Sequence, residues 1–245
     1  MKMKELKNQR LMMIARMMPR CKKFADIGTD HAWLPIYAVS SGISESAIAA
    51  DIKKGPIAVA QKNISEYGMQ GMIETRLGSG LSVLAAEDIT DGNCEAAVIA
   101  GMGGLLICDI LDADKDISHN LPVLILEPNT SEYELREYLY RNSYEILDEQ
   151  ACRDGRHVYA AIKCRFNGGL EHQGKINIEK KLEFFTGKVM PERKSDTDKL
   201  YFEKLRNKAI KVLSGMEQSE NNSEENIQRM EIYRALLKRT EELLK

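Results

Sequence analysis

Five acidic or glycine-bearing segments recur along the chain, each where a short apolar run ends. Asp26-Ile27-Gly28-Thr29-Asp30-His31-Ala32-Trp33 closes the first run and Asp51-Ile52 the second. Gly78-Ser79-Gly80 closes the third and Ala100-Gly101-Met102-Gly103-Gly104 the fourth, while a fifth run ends at Glu127-Pro128-Asn129. Ligands collect at the carboxyl edge of open α/β sheets, so such residues at successive strand ends point to one pocket. A dinucleotide would require G-x-G-x-x-G in the first loop, the second glycine admitting the pyrophosphate and the third packing helix on strand. Here only Gly28 is kept; Asp30 takes the second glycine position and Trp33 the third. A carboxylate facing phosphates and an indole at a close contact disfavour a nicotinamide cofactor.

A phosphate-free nucleoside with a charged sulfur fits better. S-adenosylmethionine presents an ammonium, a carboxylate, a ribose and a sulfonium. Asp26 suits the ammonium, and Gly28 permits the close turn. The N–H groups at the start of the following helix can receive a carboxylate. Asp51, with Ile52, lies 25 residues beyond Asp26, where an acid hydrogen-bonds ribose hydroxyls. Gly78, Ser79 and Gly80 offer an edge for adenine, and Ala100, Gly101 and Met102 a floor beneath the methyl group. Taken singly, Asp26 reads equally well as a helix cap and Asp51 as a turn residue.

The elements that must position these residues follow from the apolar pattern. An amphipathic basic helix is expected within 1–24, its apolar side Leu6, Leu11, Ile14, Ala15 and Met18. Strands are expected at Phe24–Ile27, Ala47–Ala50, Ile73–Leu77, Ala96–Ala100 and Val123–Leu126, with helices between them. Gly55-Pro56 reads as a breaker before a helix from Ile57, and Ser131 with Glu134 as a capping box. Two further β-type runs, Tyr144–Cys152 and His157–Phe166, are joined through Asp154-Gly155, a hairpin signal. Five parallel strands closed by an antiparallel pair make a seven-strand, mostly parallel sheet. That is the class I (Rossmann-like) methyltransferase sheet rather than a dehydrogenase sheet. The catalytic domain is expected over 1–167. Residues 168–245 carry two apolar stripes separated by polar Glu217–Asn226, which predicts an antiparallel, coiled-coil-like helical hairpin.

With those segments in place, the chain resembles the bacterial tRNA (adenine-N1)-methyltransferase family TrmK, which methylates adenine 22 of tRNA. The resemblance rests on ADIGTDHAWLP (25–35), Asp51 followed by Gly55-Pro56, IAGMGG (99–104), LILEPN (124–129) and LREYLY (135–140). RLMMIARMMP (10–19) is similar to the family's opening helix. The family usually has Gln where this chain has Glu127, and an acid or amide at Ser79. The resemblance implies S-adenosylmethionine as cofactor, held in part by Thr29, Asp30 and His31, without a metal, and tRNA as partner. It implies that Glu127-Pro128-Asn129 faces the target base, with Asn129, Glu127 and Asp30 as candidate catalytic residues. Lys7 and Arg10, with Arg16, Lys22 and Lys23, are the candidate contacts to RNA phosphates.

Charge is unevenly spread under a net value of -2. The first 24 residues carry a balance of +7, while 25–174 carry -12 and the remainder +3. A basic start on an acidic body suits a polyanion, although a solvated helix face gives the same pattern. The five scattered cysteines form no metal-ligand spacing and suit a reducing cytoplasm. No apolar run has the length of a membrane span, and no obligate protein partner is evident. Competing readings are a methyltransferase acting on another RNA base or a protein, an oxidoreductase, and a noncatalytic adaptor using the hairpin.

Overall fold

The computed structural model describes residues 8–90, 93–169, 176–218 and 223–245. The order is α1 (Gln9–Met17), β1 (Cys21–Ile27), α2 (Trp33–Ser40), β2 (Ser44–Asp51), α3 (Lys54–Glu66) and β3 (Ile73–Leu77). A short 3-10 turn follows at Gly80–Val83, then α4 (Ala86–Thr90), β4 (Cys94–Gly103), α5 (Gly104–Ala113) and α6 (Lys115–Ser118). The sheet is completed by β5 (Val123–Thr130), α7 (Glu132–Arg141), β6 (Tyr144–Asp154) and β7 (His157–Phe166). The helical end comprises α8 (Ile178–Thr186), α9 (Met190–Arg193), α10 (Asp196–Gln218) and α11 (Glu224–Leu243).

The sheet order is β3-β2-β1-β4-β5-β7-β6, parallel from β3 to β5 and antiparallel across β7 and β6. The strand order reverses between β1 and β4, so the connections leaving their carboxyl ends run apart and open a crevice. Alternation sorts the core into two faces. Phe24, Ala47, Ala49, Ala96 and Val98 pack beneath α1, α2 and α3, while Ala25, Ile27, Ile48, Ala97 and Ile99 pack against α5 and α7. The central strands are covered on both sides and therefore read as continuous apolar runs.

Several local expectations change. The basic helix is shorter than 1–24: Asn8 caps it by accepting the Leu11 amide at 3.0 Å, and it ends at Met17, so Lys22 and Lys23 belong to β1. Pro56 does not break a helix but sits in the first turn of α3, where its missing N–H costs nothing. Ser131 makes no capping bond; it takes a left-handed backbone, φ 58°, ahead of α7. The hairpin turn is Gly155-Arg156, with Asp154 paired to His157.

The helical end is joined to the sheet through a common core. Ala151 on β6 and Ala160 on β7 are buried with Leu182, Phe185, Tyr201, Phe202 and Leu205. α10 and α11 pack on one another, burying Ala209, Leu213, Tyr233 and Leu236. At the junction Arg136 of α7 is 1% exposed and donates to Glu149 Oε1 at 2.7 Å. It also donates to the Phe184 carbonyl and the Tyr201 hydroxyl, each at 3.1 Å. Glu149 in turn accepts the Val189 amide at 2.8 Å, tying β6 to the segment before α9.

Candidate functional site

β1 ends in a turn tied to its neighbour: the Gly28 and Thr29 amides both donate to the Ala50 carbonyl, at 2.8 and 2.9 Å. Gly28 has φ +76°, and a Cβ there would overlap the Met102 methyl. The positive φ is what calls for glycine; the Met102 methyl, at the end of a flexible side chain, could move aside. Thr29 Oγ1 donates to Asp26 Oδ2 at 2.6 Å, aiming the carboxylate along the turn. Asp26 is 6% exposed, and burial pushes its carboxyl up to about 6 despite the Thr29 bond and the nearby Arg10 charge.

Two cavities open on either side of Gly28. The first, of about 200 Å³, is lined by Asn8, Arg10, Leu11, Asp26, Gly28, Thr29, Asp30, His31, Trp33, Leu34 and Ala100. The second, of about 140 Å³, is lined by Ile27, Gly28, Ala50, Asp51, Ile52, Gly78, Ser79, Gly80, Met102, Leu106 and Ile110. Met102 over Gly28 forms the waist between them. The first lobe carries charge of both signs; the second is mostly apolar, with Asp51 at its edge. Asp51 Oδ1 accepts the Lys53 amide at 2.8 Å and its carbonyl accepts the Gly78 amide at 3.0 Å, fixing the ends of β2 and β3 together. Asp30, with φ +51°, is exposed, and His31 Nε2 lies 3.4 Å from its Oδ2. Thus the strand-end residues taken for cofactor contacts divide between two adjoining lobes, except Gly101, which lines neither.

The fifth strand end behaves differently from its neighbours. Glu127 is completely buried, not turned to the open pocket. Its Oε2 accepts the Gly101 amide at 2.9 Å and Arg10 Nη1 at 3.2 Å. Burial raises its carboxyl to about 7, with Arg10 and the Gly101 bond opposing. Pro128 is buried too, paired with Met102 across the β4–β5 ladder. Asn129 is exposed, and its Nδ2 donates to the Gly101 carbonyl at 2.8 Å. Gly101, at φ +78°, is therefore gripped at both its amide and its carbonyl.

Arg10 is not a free phosphate contact. It pairs with Glu127, lies with its guanidinium 5.6 Å from the Tyr159 ring centroid, and presses against Gly101, where a Cβ would meet Nη1 at 2.9 Å. Lys7 lies outside the described residues. Lys22 and Lys23 stand near the amino end of β1, away from both lobes, with the Lys23 ammonium 3.7 Å from Asp88. Arg16 is exposed on α1. Sequence reasoning missed Asn8, Leu11, Trp33 and Leu34 in the first lobe and Leu106 and Ile110 in the second. All but Asn8 are apolar, a type that gave no signal of a ligand. Among the described residues no cluster of three or more His, Cys, Asp or Glu could hold a metal, all five cysteines are buried and unpaired, and no helix is long and apolar enough to cross a membrane.

Known proteins resemble this chain in sequence and fold. The chain is 39% identical over 161 residues to the tRNA (adenine(22)-N(1))-methyltransferase of Bacillus subtilis strain 168, covering 65% of this chain and 66% of that relative. That match spans just under two thirds of the relative's length. The crystal structure of the B. subtilis M1A22 tRNA methyltransferase TrmK superposes with a TM-score of 0.79 at 27% identity, covering 98% of this chain and 99% of that one. Streptococcus pneumoniae Sp1610, a putative tRNA (m1A22) methyltransferase solved in complex with S-adenosyl-L-methionine, gives 0.79 at 25% identity, covering 98% and 100%. The family described as "Methyltransferase domain" matches residues 7–162, the stretch that builds both lobes. This chain belongs to that methyltransferase family.

Proposed function

We propose that the chain transfers a methyl group from S-adenosylmethionine to N1 of an adenine in tRNA, at position 22. The two-lobed pocket carries this reading. Its charged lobe offers Asp26 and Arg10 to a zwitterionic amino-acid arm, and its apolar lobe offers Asp51 to a ribose beside a purine-sized wall of Ile52, Met102 and Leu106. Neither lobe asks for a phosphate. The names of the B. subtilis and S. pneumoniae relatives support tRNA adenine as the acceptor.

Bound there, the cofactor supplies a methyl group on a positively charged sulfur. Adenine N1 has an in-plane lone pair and no hydrogen, so no residue need remove a proton before transfer. Asp30 and Glu127 are therefore not required as bases at that step, and the residues act by orientation and by excluding water. Glu127 and Asn129 fix the peptide at Gly101, making the floor between the lobes rigid. One Nδ2 hydrogen of Asn129 goes to the Gly101 carbonyl, which orients the amide so that its Oδ1 can accept from the amine beside N1. The exposed Asp30 carboxylate favours the cationic product. N1 lies on the pairing edge, so the base must be rotated out of any helix to reach this floor. Leu105, in the first turn of α5, is 57% exposed, an apolar border suited to a base face.

Incubation with S-adenosylmethionine and unmodified tRNA, followed by nucleoside analysis and mapping, tests the reading. N1-methyladenosine at position 22 is expected. A methyl group on another atom or nucleotide would overturn it.

A further inference from the structure

The charged lobe contains an asymmetry that the sequence did not disclose. A zwitterionic arm needs a cation as well as an anion on the wall. Two carboxylates, Asp26 and Asp30, line this lobe, and Arg10 is its only permanently charged cation among the described residues. His31 stands 3.4 Å from Asp30, so any charge it gains is balanced locally. Arg10 comes from α1, outside the sheet, and is held by three features. Glu127 takes one Nη1 bond, the Tyr159 ring covers the guanidinium at 5.6 Å, and the Gly101 backbone lies flush against it. A guanidinium has five N–H donors in a planar fork, and a single bond to Glu127 leaves a paired edge for a second carboxylate. The side chain is 25% exposed, neither sealed in the core nor free in solvent.

We propose that Arg10 receives the carboxylate of the cofactor's amino-acid arm, leaving Asp26 for its ammonium. The assignment rests on the cofactor reading above. It moves Arg10 from the RNA footprint into the cofactor site and makes α1 one wall of that site. Glu127 becomes a positioning residue that presets the guanidinium. The same Glu127 oxygen holds Gly101, so arm and floor share one anchor.

Calorimetric titration of the full chain with two ligands separates this role from a structural one. S-adenosylhomocysteine carries the amino-acid arm; 5′-methylthioadenosine keeps the adenosine and thioether but lacks both charges. Arg10→Met is expected to weaken S-adenosylhomocysteine about tenfold or more, the scale of a lost charge-assisted pair, and to change 5′-methylthioadenosine less than about twofold. Arg10→Lys should recover part of the loss. The double variant Arg10→Met/Glu127→Gln removes the charge left unpaired and should keep the same ligand selectivity. Equal losses for both ligands, or no loss for S-adenosylhomocysteine, would overturn the assignment. So would a wild-type chain that binds both equally well. A wild-type chain that binds neither would defeat the cofactor reading itself.

Discussion

Glu127 Oε2 accepts the Gly101 amide at 2.9 Å from the adjoining strand, and the same oxygen meets Arg10 at 3.2 Å. The other oxygen, Oε1, is buried without a hydrogen-bond partner. Burial holds this carboxyl at about 7, above its ordinary 4.5. A carboxyl raised on folding contributes stability that is complete below its unfolded value and is lost as pH rises through its folded one. The window is therefore pH 4.5 to 7. Glu127→Gln keeps an acceptor for Gly101 and does not titrate. Its stability relative to wild type should rise between about pH 5 and about pH 8, by at most on the order of 3 kcal/mol. Thermal melts at the two pH values check this; a relative stability that fell with pH would contradict it.

Asp26 predicts a pH-dependent affinity. With its carboxyl at about 6 in the free chain, Asp26 loses its charge below that pH, and with it the attraction for an ammonium. S-adenosylhomocysteine should bind more weakly as pH falls below 6, approaching roughly tenfold per unit in the steepest range, and Asp26→Asn should bind weakly with a flattened profile. Titrations from acid to neutral pH would show whether wild type and variant converge at the acid end, as they must.

Asn129 touches Gly101 and the solvent but lines neither lobe. Asn129→Ala should lower the single-turnover methylation rate by roughly 10- to 100-fold, the scale of one lost positioning contact, while cofactor affinity stays within about threefold. An unaltered single-turnover rate would remove Asn129 from the transfer step.

Arg136→Met removes the cationic partner of Glu149, whose side chain is 0% exposed. Removing one partner of such a pair costs about 3–5 kcal/mol, so a large fall in melting temperature is expected. Arg136→Met/Glu149→Gln should restore part of it. A single variant as stable as wild type would show that the pair does not secure the junction.

Much of the scaffold was legible because apolar runs and their stops are local. Ile73–Leu77 and His157–Phe166 match their expected bounds residue for residue, each flanked by turn residues. β4 and β5 run past their expected ends because Met102 pairs with Pro128 and Gly103 with Thr130, a ladder that glycine and proline disguise. The helices at α4, α6 and α8 are too short or too polar to announce themselves by period. At the site, Asp26 and Asp51 could be placed because each closes a strand. The Arg10–Glu127 bond could not, since the two residues lie 117 positions apart and charged partners at that range leave no pattern. Glu127 consequently read as a base contact instead of a buried anchor. Deletion of 195–245 would remove Tyr201 and strip one partner from the buried Arg136–Glu149 junction.

That junction also fixes where evolution or an engineer can cut. Ala151, Ala160 and Arg136 all point into helices that follow them in the chain, so the tail is a lid on the far end of the sheet, not cargo on a tether. A chimera exchanging tails between relatives has to carry α7 and the β6–β7 ribbon along. A breakpoint placed after Phe166 would join two halves whose mating surfaces were never selected together.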